Sequence, residues 1–146
     1  MSKLILQYKH DASFFDTKLR RDDFGRLSIT VEIGRFSGRG GFWVQWQDVK
    51  KFGEALSTFP IAEGKPIIAQ WGYDAQQGDD LILRLEVAAA DKQGNLSVQF
   101  EVADDQRPRN RMRGYFLTNY PDLEAFRHGI AQMVCAGAEE AVLTGQ

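Results

Sequence analysis

The sequence is poor in the residues that most often bind metals or form covalent cross-links. It has one cysteine, Cys135, and two histidines, His10 and His128, among 146 residues. One cysteine cannot form a disulfide within the chain, and three Cys and His residues cannot supply the four ligands of a closed zinc site. We therefore expect no intrachain disulfide, no metal site and no cofactor.

Long apolar runs and a strong net charge are also missing. The apolar run at residues 4–6 is too short for a signal peptide, and no stretch of about 18 residues is apolar throughout. The 18 basic and 20 acidic residues nearly cancel, which leaves a formal net charge of −2. This balance argues against a membrane protein and against a global attraction to nucleic acid. We expect a soluble, cytoplasmic protein.

Apolar residues are abundant, and their spacing predicts strands. Hydrophobic residues make up 43% of the chain, enough for a single domain over residues 1–146 with its own core. Apolar and polar residues alternate most clearly over 27–33, 81–87 and 96–102, and such alternation is typical of half-buried antiparallel strands. Further strands are predicted at 3–8, 42–46, 67–73 and 111–117.

Two segments have the spacing of an amphipathic helix instead. The first has apolar residues behind a predicted N-cap, Asp48, and Pro60 ends it; the second follows Pro121 and Asp122. Their apolar stripes are Val49, Phe52, Leu56 and Phe59, and Leu123, Phe126, Ile130, Met133 and Val134. The predicted fold is α+β, with a single mostly antiparallel sheet of about six or seven strands and two helices packed on it.

The sequence also contains an internal echo. Residues 39–56 align with residues 113–130 at a shift of 74 positions (113 − 39), with Arg-Gly-x-Phe followed by an aspartate and apolar residues at helical spacing. Two explanations stay open: a diverged duplication, or two junctions that independently need a cap and an apolar helix face. In either case we predict that each segment forms a strand followed by a helix.

Two clusters are candidates for anion binding. Arg35 and Arg39 lie in the glycine-rich segment 34–41, but the next residues predict a strand rather than a helix, so a turn or bulge between strands is favoured over a phosphate loop. Arg107, Arg109, Arg111 and Arg113 are four of the eleven arginines. We interpret this run as a solvated surface with cross-strand pairs to Glu86 or Glu101. The alternatives are a protein interface and a nucleic-acid site.

The remaining candidates are single residues. Trp43 alternates with Phe42 and Val44, so its side chain should point away from the core, under a helix or the 10–25 loop, or free as an anchor for a partner. His128 is predicted to be exposed and Cys135 to be a small packing residue. No nucleophile has a recognisable neighbouring base, and we predict no enzymatic activity.

The order of elements resembles small bacterial immunity proteins, in particular the wall-associated toxin (WapI-type) immunity family. The residues that carry the resemblance are 27–33, the strand 41–48 with Val49, Phe52 and Leu56 after it, and 81–102. The resemblance implies a bacterial, cytoplasmic antidote that binds and blocks a cognate toxin, with no catalytic residues.

These observations favour a non-enzymatic protein-binding domain, whose candidate partner-binding residues are Trp43, Arg107, Arg109, Arg111 and Arg113. A toxin domain is the specific partner expected. The alternatives are a nucleic-acid or anion-binding module that uses the 107–113 run, and an uncharacterised enzyme. An uncovered sheet edge or tryptophan would also allow a homodimer.

Overall fold

Strands dominate the computed structural model, which describes residues 1–10 and 23–146. Within these residues the α+β class and the antiparallel pairing are confirmed. The elements are β1 (Ser2–His10), β2 (Phe24–Ile33), β3 (Phe36–Gln45), α1 (Trp46–Ala55), β4 (Ile67–Gly72), a 3₁₀ turn (Gly78–Asp80), β5 (Leu81–Ala89), β6 (Asn95–Ala103), β7 (Arg111–Asn119), α2 (Tyr120–Cys135) and β8 (Glu140–Gly145).

The prediction of a single sheet is corrected. The described strands form two sheets of four, sheet A in the order β3-β2-β1-β8 and sheet B in the order β4-β5-β6-β7. Alternation with period two identifies a strand, but it does not say which strand lies next to it. The chain changes sheets at each helix: α1 connects β3 of sheet A to β4 of sheet B, and α2 connects β7 of sheet B to β8 of sheet A.

The two halves of the chain have the same order of elements. Each half contains three antiparallel strands, a helix and a fourth strand, and the fourth strand pairs with the first strand of the other half: β4 with β5, and β8 with β1. The two segments of the echo run from β3 into α1 and from β7 into α2. Their common origin stays a prediction.

One core joins the two sheets and the two helices. Leu27, Ile29 and Val31 of β2 are fully buried, as the alternation predicts, and the inward residues of β5 and β6 belong to the same cluster. The helices pack on each other at Gly53, where a Cβ would lie 2.8 Å from Cγ2 of Ile130. The helix pair therefore depends on a missing side chain at the contact.

The helix boundaries confirm one prediction and correct the other. In α2 the five predicted stripe residues are buried, and Asn119 caps the helix by accepting a hydrogen bond from the Asp122 backbone N–H at 2.8 Å. In α1 the N-cap is Gln45, without a side-chain hydrogen bond, and Asp48 lies in the first turn. The helix ends before Phe59, which is exposed.

The structure tests three smaller predictions, which concern the 10–25 loop, His128 and Cys135. His10 ends β1, Asp23 precedes β2, and Phe24 and Gly25 begin β2, whereas residues 11–22 of the predicted 10–25 loop lie outside the described residues. His128 is exposed as predicted. Cys135, the last residue of α2, is also exposed, and its predicted packing role is wrong. Neither helix of the described part combines the length and apolarity needed to cross a membrane.

Candidate partner-binding surface

The arginine run is divided by the structure into an internal and an exposed part. Arg111, the first residue of β7, donates hydrogen bonds to the Glu101 carboxylate at 3.0 Å and to the Pro108 carbonyl at 2.8 and 3.0 Å. The predicted cross-strand pair with Glu101 is therefore confirmed, whereas Glu86 lies 3.5 Å from Arg84 instead. Since Arg111 is half-buried and fully engaged, it holds the β6–β7 loop rather than a partner.

The other three arginines of the run are exposed. Arg107 and Arg109 lie in the loop between β6 and β7, and Arg113 points outward from β7. None of them forms an ion pair with the described residues. This end of sheet B therefore carries three uncompensated positive charges.

Beside Arg113 lies a surface that we call the sheet B outer face: Ile68, Glu86, Gln99, Tyr115 and Leu117. Ile68, Tyr115 and Leu117 are its exposed apolar residues, and the polar residues Glu86 and Gln99 lie between Ile68 and Tyr115. In register, Ile68 lies opposite Glu86, Glu86 opposite Gln99, and Gln99 opposite Tyr115, so the surface crosses all four strands. The Tyr115 side chain is 67% exposed, and Ile68 and Leu117 are exposed as well. An aromatic residue and two aliphatic residues are thus presented to solvent on a flat, regular surface.

Trp43 lies on the other sheet. Its side chain points away from the core, as predicted, and it is 50% exposed, with the Arg26 guanidinium 5.8 Å from the ring centroid. Its neighbour Phe42 points inward and contacts the Tyr73 ring edge to face at 5.1 Å. The structure therefore separates Trp43, on sheet A, from the β7 arginines, on sheet B.

A polar junction connects the two sheets near Trp43. Arg26 donates two hydrogen bonds to the Asp105 carboxylate, at 2.8 and 3.0 Å, and Tyr73 donates one to the Asp105 carbonyl at 2.8 Å. A Cβ on Gly41 would lie 2.9 Å from Nε of Arg26, so the guanidinium reaches Asp105 across the space that this glycine leaves open. Residue 41 must therefore be small.

The glycine-rich segment has this structural role rather than the shape of a phosphate loop. Gly34 has φ +56° in the turn between β2 and β3, so a turn between strands is present as predicted. The turn is shorter than predicted, because residues 36–41 belong to β3. Arg35 lies in that turn, whereas Arg39 lies on the outward side of β3 near Arg26 and Ser28. The two arginines proposed for anion binding are thus not brought to one site.

The junction predicts a pH-dependent contribution to stability. The hydrogen bond from Arg26 holds the pKa of Asp105 below its usual range, so the contribution is complete above the unfolded-state pKa and is lost as the pH falls through the folded-state pKa. Asp105→Asn should lower the free energy of unfolding by about 1 kcal/mol at neutral pH. In urea denaturation, the difference from the unsubstituted chain should shrink below about pH 4; a difference that is constant over this range would contradict the assignment.

Sequence reasoning missed Tyr115, although a signal for it exists. The shift of 74 places Arg39 and Trp43 of β3 on Arg113 and Leu117 of β7, and Tyr115 on Gly41. All six positions lie on the outward side of a strand at the end of its sheet. Since Trp43 was predicted to point outward, the same alternation applied to β7 would have assigned Tyr115 and Leu117 to solvent.

A separate cleft offers little chemistry. It has a volume of about 870 Å³ and lies between residues 59–63, the β5–β6 hairpin and Tyr120. Its carboxylate Asp91 accepts hydrogen bonds from the Asn95 side chain and from the backbone N–H groups of Gln93 and Asn95, and the Asn95 bond above all lowers its pKa. Asp91 is therefore occupied in holding the hairpin. Within residues 1–10 and 23–146, no three His, Cys, Asp or Glu side chains are grouped as a metal site.

Comparison of the chain with protein-family models, with curated proteins and with solved structures found no match. The functional argument therefore depends on the surface described above.

Proposed function

We propose that this chain is a non-enzymatic protein-binding domain whose contact surface is the sheet B outer face. The observation that carries the proposal is the pair of exposed apolar side chains Tyr115 and Leu117, which are neighbours on the outward side of β7 and lie next to Arg113, a residue without an ion pair among the described residues. Contiguous apolar surface bordered by polar residues is typical of protein interfaces. Tyrosine and arginine are also the residues that most often dominate the binding energy of an interface.

The geometry supports a rigid surface rather than one that orders on binding. Tyr115 lies between Gly114 and Phe116 on β7, and the Phe116 side chain on the opposite side of the strand is buried in the core. The backbone that carries Tyr115 is thereby fixed, so little conformational entropy is lost when its ring is covered. A pre-organised sheet face of this kind suits a steric inhibitor.

The specific partner we propose is a bacterial toxin domain in the cytoplasm, which the chain neutralises by occlusion. The order of strands and helices that resembles WapI-type immunity proteins supports this choice, together with the exposed face. In this mechanism the chain supplies no catalytic group. It covers the active surface of the toxin, and protection depends on affinity alone.

A capture experiment tests the surface. The full-length chain, Tyr115→Ser and Phe36→Ser are used as baits in native lysate of the source cells at physiological salt. Phe36 is a matched control, since it is also an exposed aromatic residue, at 72%, but lies at the β2–β3 turn of sheet A. Loss of the Tyr115 ring should weaken capture of the partner about tenfold or more, because interface tyrosines often contribute more than about 1.4 kcal/mol.

The expected result is a partner held by the unsubstituted and Phe36→Ser baits and lost from Tyr115→Ser. Co-expression of that partner should arrest growth, and the unsubstituted chain, but not Tyr115→Ser, should restore it. Equal capture by all three baits would move the interface away from sheet B. Capture of a partner that is not toxic would support the protein-binding function and contradict the proposed antidote role.

A further inference from the structure

We propose that the free edge of β7 binds an extended acidic segment of the partner protein by strand addition. This proposal rests on the proposed function, and it names the chemistry of the partner segment that the sheet B surface recognises. It is carried by two features of the same strand: unpaired backbone groups and uncompensated arginines.

The direction of the backbone groups follows from two hydrogen bonds. The Asp104 N–H donates to the Asn110 carbonyl at 3.0 Å. In this register the backbone N–H and C=O groups of the even-numbered β7 residues therefore point toward β6. The Leu117 carbonyl, in contrast, accepts from Gln146 N–H at 2.9 Å on the other side of β7. Since N–H and C=O of one residue point the same way and alternate along a strand, the groups of Arg113 and Tyr115 also point to this outer edge.

These edge groups are available. β8 and the C-terminal residue reach β7 only at its end, through Leu117 and through Thr118, whose hydroxyl donates to the Thr144 carbonyl at 2.8 Å. Within the described part of the chain, no hydrogen bond is made to the outward N–H or C=O of Arg113 or Tyr115. An incoming strand would therefore find two consecutive pairing sites, the arrangement used in peptide recognition by strand addition.

The charges specify the incoming segment. Near this edge Glu101 and Asp79 pair with Arg111, Asp105 pairs with Arg26, and Asp104 accepts a hydrogen bond from the Gln106 backbone N–H. The cations Arg107, Arg109 and Arg113 have no such partners. A strand paired with β7 would place one side chain opposite Arg113 and another, two residues along, opposite Tyr115. A carboxylate at the first and an apolar residue at the second complement the surface.

The surroundings favour an acidic protein segment over a nucleic acid. The chain as a whole is acidic, with a formal net charge of −2, and this disfavours binding of a long, continuous phosphate backbone. A nucleic acid would also leave the outward backbone N–H and C=O groups without the regular pairing that a peptide provides. One exposed tyrosine is a small stacking platform for bases.

The test uses the full chain and a short peptide with the repeat Glu-Thr-Val-Thr, the glutamate peptide, which can place a carboxylate opposite Arg113 and an apolar residue opposite Tyr115. A peptide with the repeat Gln-Thr-Val-Thr, the glutamine peptide, and a single-stranded oligothymidylate are the comparisons. Binding is followed by fluorescence anisotropy at low salt. We expect the glutamate peptide to bind about tenfold more tightly than the glutamine peptide, because three exposed ion pairs contribute a few tenths of a kcal/mol each or more. R107Q/R109Q/R113Q should abolish that difference. R35Q/K65Q/K92Q, which removes the same charge from other exposed positions, should keep it.

A proline variant separates strand addition from charge alone. Tyr115→Pro removes the outward N–H without breaking a bond to β6, a position where edge strands accept proline, and Tyr115→Ser is its control with the N–H intact. Strand addition requires the glutamate peptide to bind Tyr115→Ser several-fold more tightly than Tyr115→Pro, and equal binding overturns it. Circular dichroism confirms that both variants are folded.

The remaining outcomes are equally informative. If oligothymidylate binds more tightly than the glutamate peptide and depends on the same three arginines, the acidic-segment proposal is wrong and the site is a nucleic-acid site. If no peptide binds while the captured partner still requires Tyr115, the strand-addition proposal fails and the protein-binding function stands. If the peptide binds and no partner is captured, binding of an acidic segment stands and the proposed protein-binding function fails.

Discussion

Gly40→Ala is expected to lower the free energy of unfolding by about 3 kcal/mol, at the upper end of the cost of overpacking. A Cβ on Gly40 would lie 2.5 Å from the carbonyl oxygen of Ala103 and 3.2 Å from its nitrogen. Both are backbone atoms of β6, held in the sheet B ladder, so they cannot rotate away as a side chain could. The methyl group would therefore push β3 of sheet A away from β6 of sheet B at this contact.

Gly38→Ala is the matched control for this prediction. Gly38 lies two residues earlier on the same side of β3, and its Cβ would lie 2.6 Å from Sδ of Met112. Because Met112 is a flexible, half-buried side chain, it can adopt another rotamer, and the cost should stay below about 1 kcal/mol. Urea denaturation of both variants measures the difference. Equal losses would show that the Gly40 contact does not determine the spacing of the sheets.

The contrast between these two glycines marks the limit of what the sequence could predict. The composition of the glycine-rich segment predicts a turn or bulge between strands; Gly34, with its positive φ, is the turn residue, but residues 36–41 are part of β3. The reason for glycine at position 40 is Ala103, and the reason at position 41 is the path of Arg26 to Asp105, 79 residues away. Contacts over such separations leave no periodic signal in the chain.

The same distinction applies to the strands. Alternation over 27–33, 81–87 and 96–102 predicted β2, β5 and β6, because each buries one full face. β8 was missed, since only Ala141 and Leu143 of its six residues are buried. A strand this short has too few alternations to be recognised, yet it completes sheet A. Its omission contributed to the prediction of one sheet instead of two.

The candidate surface was predictable in part for related reasons. The pair of Arg111 with Glu101 and the outward direction of Trp43 follow from local alternation and neighbouring strands. Whether an arginine is compensated depends on partners that the fold brings from elsewhere, as Asp105 does for Arg26. The exposed residues around Tyr115 could therefore be identified only from the fold, which shows that Arg26 and Arg111 are paired and that Arg113, within the described residues, is not.

Truncation of the two phenylalanines that the echo aligns should have the largest effect on stability. Phe52 of α1 and Phe126 of α2 are both buried, and Phe52 also contacts the Trp71 ring edge to face at 6.5 Å. Phe52→Ala and Phe126→Ala should each lower the free energy of unfolding by about 3–5 kcal/mol, since each leaves a cavity in the core shared by both sheets. Such a loss is a large fraction of the total stability of a domain this size.

Phe59→Ala supplies the control, because the sequence placed Phe59 in the same apolar stripe as Phe52. In the structure Phe59 lies beyond the end of α1, exposed, and its main contact is the Tyr120 ring at 4.8 Å. Its truncation should therefore cost only about 1 kcal/mol, the value of one aromatic pair. Equilibrium urea unfolding of the three variants, followed by tryptophan fluorescence, makes the comparison. A loss at Phe59 equal to that at Phe52 would mean that the helix continues through Ser57 and Thr58 and buries the third ring of the predicted stripe.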